Sequence, residues 1–371
     1  MSSHCKSVLM LLCLCDVIHL SVLSDLIAFF RPTGLRLMTP NNQYVYVSNA
    51  KSNTISRYLL DGELGKLIPL GNTKAGDNVM PLSISPTQSH LYASIRSEPF
   101  RVLTYHIDSA TGDLEQVGEA MLPTSMANID MDKTGRFLFA ASYGGHVVSV
   151  SPIDENGVVT KSAQQVLNAG RNAHAIHASP DNSGQLTPNS PAFIKTGIHS
   201  GPRHFVFSKD GKYVYVLGEL SGTVTTFVYD SSSGLLTLKD VSEGVLAEEL
   251  GLENGVPPSK NASNDLPKIW TADMHLSVDG RFLYVSERTK SIITTLSIDQ
   301  TTGLPSYLNM TSVEQQPRGF AISKDGRFMV VSGENDANLG LYHINEKTGE
   351  LMKIEEVPTG EGANWVEIVS F

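Results

Sequence analysis

The sequence has almost no cysteine: only Cys5, Cys13 and Cys15 of its 371 residues carry a thiol. The rest of the chain therefore has neither a disulfide framework nor a cysteine nucleophile. Basic residues are also in the minority, with 28 Lys and Arg against 38 Asp and Glu. Binding to a nucleic-acid backbone needs a basic face that displaces counterions, so we expect no nucleic-acid partner.

Motifs of several common enzyme classes are absent as well. The chain contains no G-x-S-x-G elbow, no Walker A loop, no H-E-x-x-H and no Cys/His metal spacing. His174 and His177 are three residues apart, which on a strand places them on opposite faces, so they do not predict a metal site. His204 and His275 lie inside apolar strands, where we expect them to be buried. We expect neither a metal nor another cofactor.

No stretch of the chain reads as a convincing membrane span. The first 40 residues hold an apolar run after Lys6, but Asp16 interrupts it and no Ala-x-Ala cleavage site follows. We predict that residues 1–40 are an N-terminal extension, either a weak targeting segment or the result of a start placed before Met38, and that residues 41–371 are the folded domain. We expect no stable membrane insertion and a cytoplasmic location.

What the chain does have is an internal repeat. The phrase SKDGKYVYV returns as KTGRFLFA, VDGRFLYV and KDGRFMVV, with a usual period of about 46 residues. A glycine turn that precedes another strand occurs seven times, at Gly62, Gly112, Gly157, Gly184, Gly234, Gly303 and Gly349. Repeats of this length, made only of short strands and turns, are typical of four-stranded propeller blades. The sequence therefore predicts an all-β fold, a seven-bladed β-propeller of four-stranded antiparallel blades.

One repeat is short. The step from Gly157 to Gly184 is 27 residues, about 19 fewer than the usual period. The sequence therefore predicts that one blade lacks a strand pair near residues 181–184. Because the loss of pairing partners exposes apolar neighbours, we expect it to disturb the placement of His174, which comes just before it.

Equivalent positions of a propeller form rings around its channel. Counting eight residues back from each hairpin glycine, or its equivalent, gives Met80, Ala127, His174, Arg203, Ala272 and Arg318. Counting eight forward gives Ala50, Arg96, Tyr143, Glu219, Arg288 and Glu334. Positions equally far from a turn are neighbours in an antiparallel hairpin, so both sets reach the same mouth of the channel. Four arginines there predict a pocket for a small polyanion, and a histidine and a glutamate beside them offer proton transfer.

Several phrases resemble the seven-bladed propeller lactonases, a family that includes the propeller-type 6-phosphogluconolactonases and the carboxy-cis,cis-muconate cyclases. They are SIRSEPFRVLTYHID, GPRHFVFSKDGKYVYVLGEL, WTADMHLSVDGRFLYVSERTKSIIT and QQPRGFAISKDGRFMVV. The similarity runs from about Asn41 to Phe371. It implies the catalytic residues His174, Arg203, Glu219 and Arg288, and the substrate-binding residues Arg96, Arg101 and Arg318.

The resemblance implies metal-independent hydrolysis of a sugar lactone, from 6-phosphogluconolactone to 6-phosphogluconate, a step of the pentose phosphate pathway. The substrate partner would be a small anionic lactone. Arg288 and either Arg96 or Arg318 would hold the phosphate, and Arg203 would stabilise the oxyanion. Either His174 or Glu219 would activate water, and the sequence does not divide those two roles.

Other functions remain open at this stage. One alternative is a cycloisomerase that acts on a carboxylated muconate, and another is a non-catalytic propeller disabled by the short blade. A calcium-dependent lactonase propeller is disfavoured, because a calcium site needs several Asp, Asn or Glu oxygens at the axis and these rings are dominated by arginine. The oligomeric state is not indicated.

Overall fold

The computed structural model describes residues 42–160, 162–177, 184–242, 246, 248–256 and 267–371. These residues form 24 β-strands and one short 3₁₀ helix, Glu248–Leu250. The strands make six antiparallel sheets of four strands each. The extension predicted at residues 1–40 lies outside the described residues. In the described part of the chain, no helix is long and apolar enough to cross a membrane.

The first three sheets, numbered in chain order, are built as follows. Sheet 1 contains β1 (Gln43–Asn49), β2 (Thr54–Asp61), β3 (Lys66–Lys74) and the last strand of the chain, β24 (Ala363–Ser370). Sheet 2 contains β4 (Val79–Ile84), β5 (His90–Ile95), β6 (Arg101–Ile107) and β7 (Leu114–Met121). Sheet 3 contains β8 (Asn128–Met131), β9 (Phe137–Ser142), β10 (Val147–Pro152) and β11 (Gln165–Asn168).

The other three sheets follow the same pattern. Sheet 4 contains β12 (Pro202–Phe207), β13 (Tyr213–Gly218), β14 (Val224–Asp230) and β15 (Leu235–Ser242). Sheet 5 contains β16 (Thr271–Leu276), β17 (Phe282–Glu287), β18 (Ile292–Ile298) and β19 (Pro305–Ser312). Sheet 6 contains β20 (Pro317–Ile322), β21 (Phe328–Gly333), β22 (Asn338–Ile344) and β23 (Leu351–Pro358).

The sheets form a propeller in which the first and last strands of the domain pair in one blade. Strand β24 pairs with β1 over its whole length, so the first blade takes its inner strand from the C-terminal end. Inner strands contact one another around the axis in two runs, from β24 to β4 to β8 and from β12 through β16 and β20 back to β24. The prediction of an all-β propeller with four-stranded antiparallel blades is confirmed.

The inner hairpins of sheets 4, 5 and 6 have the Asp-Gly turn that the repeat predicts. In sheet 4, the N–H of Gly211 donates to the carbonyl oxygen of Ser208 over 2.9 Å, and the Ser208 hydroxyl donates to Asp210. Gly211 has a φ of +70°, a conformation that glycine adopts without steric cost. The turn fixes the register of the two strands, so their far ends finish side by side at one mouth of the channel.

Neighbouring sheets are tied together by a repeated tyrosine bond. The hydroxyl groups of four buried tyrosines donate to the carbonyl oxygen of the turn glycine in the next sheet, in the pairs Tyr46 with Gly112, Tyr92 with Gly157, Tyr215 with Gly303, and Tyr284 with Gly349, over 2.7 to 3.1 Å. Each of these glycines has a positive φ. The predicted glycine turns are therefore the points where one blade packs on another.

The expected seventh blade is not present as a sheet. Between β11 and β12, the described residues 169–177 and 184–200 form no strand. The step of 27 residues from Gly157 to Gly184 compares with a usual period of about 46, so this part of the chain has fewer residues than the other blades use for four strands. Ile176 and Leu186 are nevertheless buried against Phe139 and other apolar residues of sheet 3.

The tyrosine bonds give a first test of this packing. The change Tyr215→Phe should destabilise the protein by about 1 to 2 kcal/mol, because the buried carbonyl of Gly303 loses its donor while the ring stays in place. The measurement is the urea midpoint of unfolding. Tyr307→Phe, at a position that is 38% exposed, is the matched control and should leave the midpoint unchanged. Equal midpoints for both variants would contradict the assignment.

Candidate active site

The ends of the inner hairpins bring the predicted ring positions together at one mouth. Pro202 pairs with Gly218, so Arg203 and Glu219 lie next to each other where β12 begins and β13 ends. Thr271 pairs with Glu287 in the same way, which places Arg288 at the end of the neighbouring hairpin. Both hairpins contain a register shift, so the pairing is offset by two residues from the mirror positions that the counting assumes, but Arg203 and Glu219 still meet at the mouth.

Glu219 is the anion that binds these hairpins to each other. Its Oε1 accepts a hydrogen bond from Nη2 of Arg288 and lies 3.6 Å from Nε of Arg203. The side chains of both arginines are 1% exposed, whereas that of Glu219 is 16% exposed. Burial alone would raise the pKa of Glu219, but the charges of Arg203 and Arg288 hold it below the ordinary value of 4.5. Glu219 is therefore a carboxylate at neutral pH.

Ring stacking and hydrogen bonds fix the position of the Arg288 side chain. Its guanidinium carbon stacks 3.8 Å from the centre of the Trp270 ring, and its Nε and Nη2 donate to the carbonyl oxygens of Trp270 and Thr271 over 3.0 and 2.9 Å. Burial lowers the pKa of Arg288 to about 10, which still leaves it charged at pH 7. Sequence analysis missed Trp270, although this residue opens one of the phrases that carry the family resemblance.

His174 reaches the site although its blade is short. The N–H of Ile176, two residues further on, donates to the side chain of Asn128 over 3.0 Å and holds the segment against sheet 3. The ring of His174 packs edge-on against those of Tyr143 and His204, with centroids 5.8 and 5.5 Å apart. The expected disturbance by the short blade therefore does not remove His174 from the cluster.

The imidazole of His174 is buried and incompletely bonded. The residue is 8% exposed, and its Nδ1 has no hydrogen-bond partner among the described residues. Burial, followed by the charge of Arg203, lowers the pKa of His174 well below its ordinary value. His174 is thus a neutral imidazole at pH 7, in which one ring nitrogen carries a lone pair.

Arg96 and Arg318 form the more open part of the cationic cluster. Nε of Arg96 donates to the hydroxyl of Ser125 over 2.9 Å, and Nη1 of Arg318 lies 3.4 Å from Oε1 of Glu334. Burial and then the nearby charge of Arg318 lower the pKa of Arg96 to about 10. Two guanidinium groups that repel each other across a short distance are stabilised by an anion between them.

The structure does not bring Arg101 into this cluster. Arg101 begins β6, the third strand of sheet 2, where its Nη1 donates to the carbonyl oxygen of Pro99 over 2.9 Å and its Nε lies 3.5 Å from Glu119. These contacts tie it to its own blade. Its substrate-binding role, which the resemblance implies, has no support from this geometry.

A cavity borders the cluster from the side. It has a volume of about 320 Å³ and lies between sheets 3 and 4, where the described residues of the connecting segment form no sheet. His174 and Arg203 lie on its polar side, and Val216, Phe227 and Leu236 of sheet 4 form part of its apolar wall. Residues 178–183, which include most of the predicted break, are outside the described part of the chain.

Metal ligation has no candidate in the described ranges, where no group of three or more His, Cys, Asp and Glu side chains is arranged to hold an ion. The arginines at the mouth also disfavour a metal ion there, because buried positive charges repel a cation. The chemistry available there is anion binding and proton transfer. A cationic mouth with a cavity beside it has the features of a small-molecule binding site.

Comparison with known proteins identifies the family. The family model described as "Lactonase, 7-bladed beta-propeller" matches residues 44–182 and 175–368. The chain belongs to this family of seven-bladed propeller lactonases, and the resemblance noted in the sequence is confirmed.

Similar curated proteins include a 6-phosphogluconolactonase of Serratia proteamaculans, which is 34% identical over 349 residues. That alignment covers 88% of this chain and 99% of the relative. A 6-phosphogluconolactonase of Pectobacterium carotovorum is 32% identical over 348 residues, with the same coverage of both chains. Each alignment covers essentially the whole length of the relative.

Solved structures show the same fold at lower identity. The periplasmic gluconolactonase PpgL of Pseudomonas aeruginosa superposes with a TM-score of 0.76 at 24% identity and covers 88% of this chain and 99% of its own. A Lactobacillus plantarum protein superposes with a TM-score of 0.74 at 22% identity, over 89% and 99% of the two chains.

The Glu219 bridge gives a pH-dependent prediction. Glu219→Gln should destabilise the protein at pH 7 by about 3 kcal/mol, because two buried arginines lose their counter-ion. The pKa of Glu219 is lowered in the folded state, so its contribution is present above pH 4.5 and is lost as the pH falls through the lower folded value. The stability gap between the variant and the wild type should therefore narrow below pH 4.5.

The measurement is the unfolding midpoint across this pH range. Glu63→Gln, at an exposed position, is the control and should show no gap at any pH. A gap for Glu219→Gln that is constant with pH would contradict an ionised Glu219 bridge.

Proposed function

We propose that this protein hydrolyses 6-phosphogluconolactone to 6-phosphogluconate without a metal. The observation that carries the proposal is the neutral, unpaired Nδ1 of His174 beside a buried cluster of arginines. In the reaction, water adds to the lactone carbonyl, the ring C–O bond breaks, and the proton of the water ends on the released hydroxyl. The names of the two curated relatives support the choice of substrate.

His174 is the general base in this proposal. Glu219 is a poorer candidate, because Arg203 and Arg288 lower its pKa and occupy Oε1. His174 has a low pKa for a different reason, since it is buried beside positive charges. An anionic substrate bound among those charges offsets them and raises the pKa of His174 towards the range in which a base is effective.

Arg203 is the group that stabilises the oxyanion. Its Nε is buried and has no hydrogen-bond partner among the described residues, although Glu219 lies 3.6 Å away. An N–H donor that is already fixed and desolvated interacts strongly with the negative charge that forms on the carbonyl oxygen. Glu219 keeps this donor and Arg288 aligned while the substrate binds.

Arg96 and Arg318 hold the phosphate. The family resemblance implies this role for Arg288, but its stack on Trp270 and its bonds to Glu219 and two carbonyl oxygens leave it little capacity for a ligand. Arg96 and Arg318 are less completely bonded and lie close enough for their charges to repel. A phosphate group bridging them removes that repulsion and accepts several hydrogen bonds.

The seventh blade is part of the proposal, in truncated form. Gly184 has a φ of +61°, and a Cβ built on it would lie 2.3 Å from the ring of Phe137, as the Cβ of Gly112 would lie 2.4 Å from Tyr44. Gly184 thus takes the position of a turn glycine in the blade after sheet 3. The two family-model matches also meet within residues 175–182. Both observations support a blade that keeps its inner and outer segments and has lost the middle strand pair.

The proposed substrate indicates the cellular location of the protein. A phosphorylated lactone does not cross a membrane unaided because its charge is costly to desolvate, so the proposal places the protein in the cytoplasm, as the sequence predicts. The name of the Pseudomonas relative places that protein in the periplasm. Fractionation of cells that produce the full chain distinguishes the two compartments.

The proposal is tested by the rate of lactone opening. Purified protein should accelerate the hydrolysis of 6-phosphogluconolactone above its spontaneous rate, and His174→Gln should lower kcat by about 100-fold, because the general base is lost. The measurement is proton release at constant pH. No acceleration by the wild type would contradict the proposal. Turnover of a carboxylated muconate instead would favour a cycloisomerase, and ligand binding without any turnover would favour a non-catalytic propeller.

The phosphate site is tested by comparing two substrates. Arg96→Ala and Arg318→Ala should each raise KM for 6-phosphogluconolactone by about tenfold or more, because each removes a charge-assisted hydrogen bond. KM for the unphosphorylated gluconolactone should change by less than about twofold. Arg101→Ala is the matched control, since this arginine is bound within its own blade. An equal effect on both substrates would contradict the assignment.

A further inference from the structure

His204 follows Arg203 on the inner strand β12 and is buried beside the arginine cluster. It is 7% exposed, and its ring packs edge-on against those of His174 and Trp365, with centroids 5.5 and 5.7 Å away. Both ring nitrogens have partners: Nδ1 is 2.7 Å from Oδ1 of Asp273, and Nε2 is 3.2 Å from Nη1 of Arg203. The ring therefore connects a carboxylate of sheet 5 to the arginine of sheet 4.

Asp273 is a buried carboxylate with a complete set of donors. Besides His204, Nε2 of His275 lies 3.1 Å from Oδ2, and the backbone N–H groups of Met274 and Phe320 donate over 3.0 and 3.3 Å. Burial alone would raise the pKa of Asp273, but the two histidines hold it well below its ordinary value. Asp273 is ionised, so it only accepts hydrogen bonds.

The ionised Asp273 determines where His204 carries its proton. Because Asp273 has no proton to give, Nδ1 of His204 must be the donor of the 2.7 Å bond. Burial and then the charge of Arg203 lower the pKa of His204 to about 4, so the ring is neutral at pH 7. Its Nε2 then carries a lone pair and accepts a hydrogen bond from Nη1 of Arg203.

We propose that the Asp273–His204 pair positions the guanidinium of Arg203 for the reaction. Nη1 of Arg203 donates both to His204 and to the carbonyl oxygen of Ala272, so two acceptors from different sheets fix the plane of the group. The remaining buried donor, Nε, faces Glu219. His204 and Asp273 act through Arg203 and are positioning residues. The inference rests on the proposed function, because it takes Arg203 as the donor to the lactone carbonyl.

The kinetic test uses two substitutions of the same histidine. In His204→Leu the guanidinium keeps only Ala272 as a fixed acceptor for Nη1, so kcat for 6-phosphogluconolactone should fall about tenfold while KM stays within twofold. In His204→Gln the amide oxygen can accept from Arg203, so part of the lost kcat should return. His343→Leu, which removes a partly buried histidine that packs on Phe328 in sheet 6, is the matched control and should leave kcat unchanged.

Two kinetic results would overturn the proposal. One is an unchanged kcat per folded protein in His204→Leu, which would mean that the pair serves stability only. The other is an equal loss in His204→Leu and His204→Gln, which would mean that the acceptor does not matter. The folded fraction of each variant is measured by circular dichroism at the assay temperature.

A second measurement does not depend on lactone turnover. The ¹⁵N NMR spectrum of histidine-labelled protein at pH 7 should show His204 as a neutral ring with its proton on Nδ1, and Asp273→Asn should change that tautomer or broaden the signal. A proton on Nε2, or a charged ring, would contradict the positioning role. If the wild type hydrolyses no lactone, the proposed function fails, and this spectrum still decides whether the pair holds Arg203 as inferred.

Discussion

The site depends on one shared anion, Glu219. Its Oε1 accepts from Arg288 and lies 3.6 Å from Arg203, two arginines whose side chains are 1% exposed. Without this carboxylate, the two buried cations would repel each other and the inner ends of sheets 4 and 5 would separate. With it, they form a rigid and desolvated surface in which a further anion can be bound and a developing negative charge is stabilised.

The propeller supplies what such a cluster cannot supply for itself. Each hairpin turn sets the register that brings two strand ends to the same mouth. The tyrosine-to-glycine hydrogen bonds join neighbouring blades. The charged groups of the cluster are therefore held within strands, as Arg203 and Arg318 are, or directly after a strand end, as Arg96, Glu219 and Arg288 are. The histidine that completes the site is the exception, because His174 belongs to a segment without strands and is held through Ile176 and Asn128.

Much of this arrangement follows from the sequence. The period of the repeat and its turn glycines predict the blades, and mirror positions about Gly211 predict that Arg203 meets Glu219. Other parts do not follow, because they depend on packing between sheets that no local pattern encodes. Asp273 lies 69 positions after His204, so only the fold brings them together. For Arg101 the outcome is the reverse. The resemblance implies a substrate-binding role, but Arg101 lies on the third strand of its blade and contacts Pro99 and Glu119 of the same blade region.

In the proposed function, the arginine cluster holds a phosphorylated sugar acid with its carboxyl carbon at Arg203 and its phosphate at Arg96 and Arg318. The most direct test is a crystal structure of the protein with 6-phosphogluconate, the product of the proposed reaction. We expect a carboxylate oxygen within hydrogen-bond distance of Nε of Arg203, the phosphate between the other two arginines, and His174 facing the carboxyl carbon. A ligand bound in the lateral cavity away from these groups, or an empty mouth at saturating ligand, would contradict it.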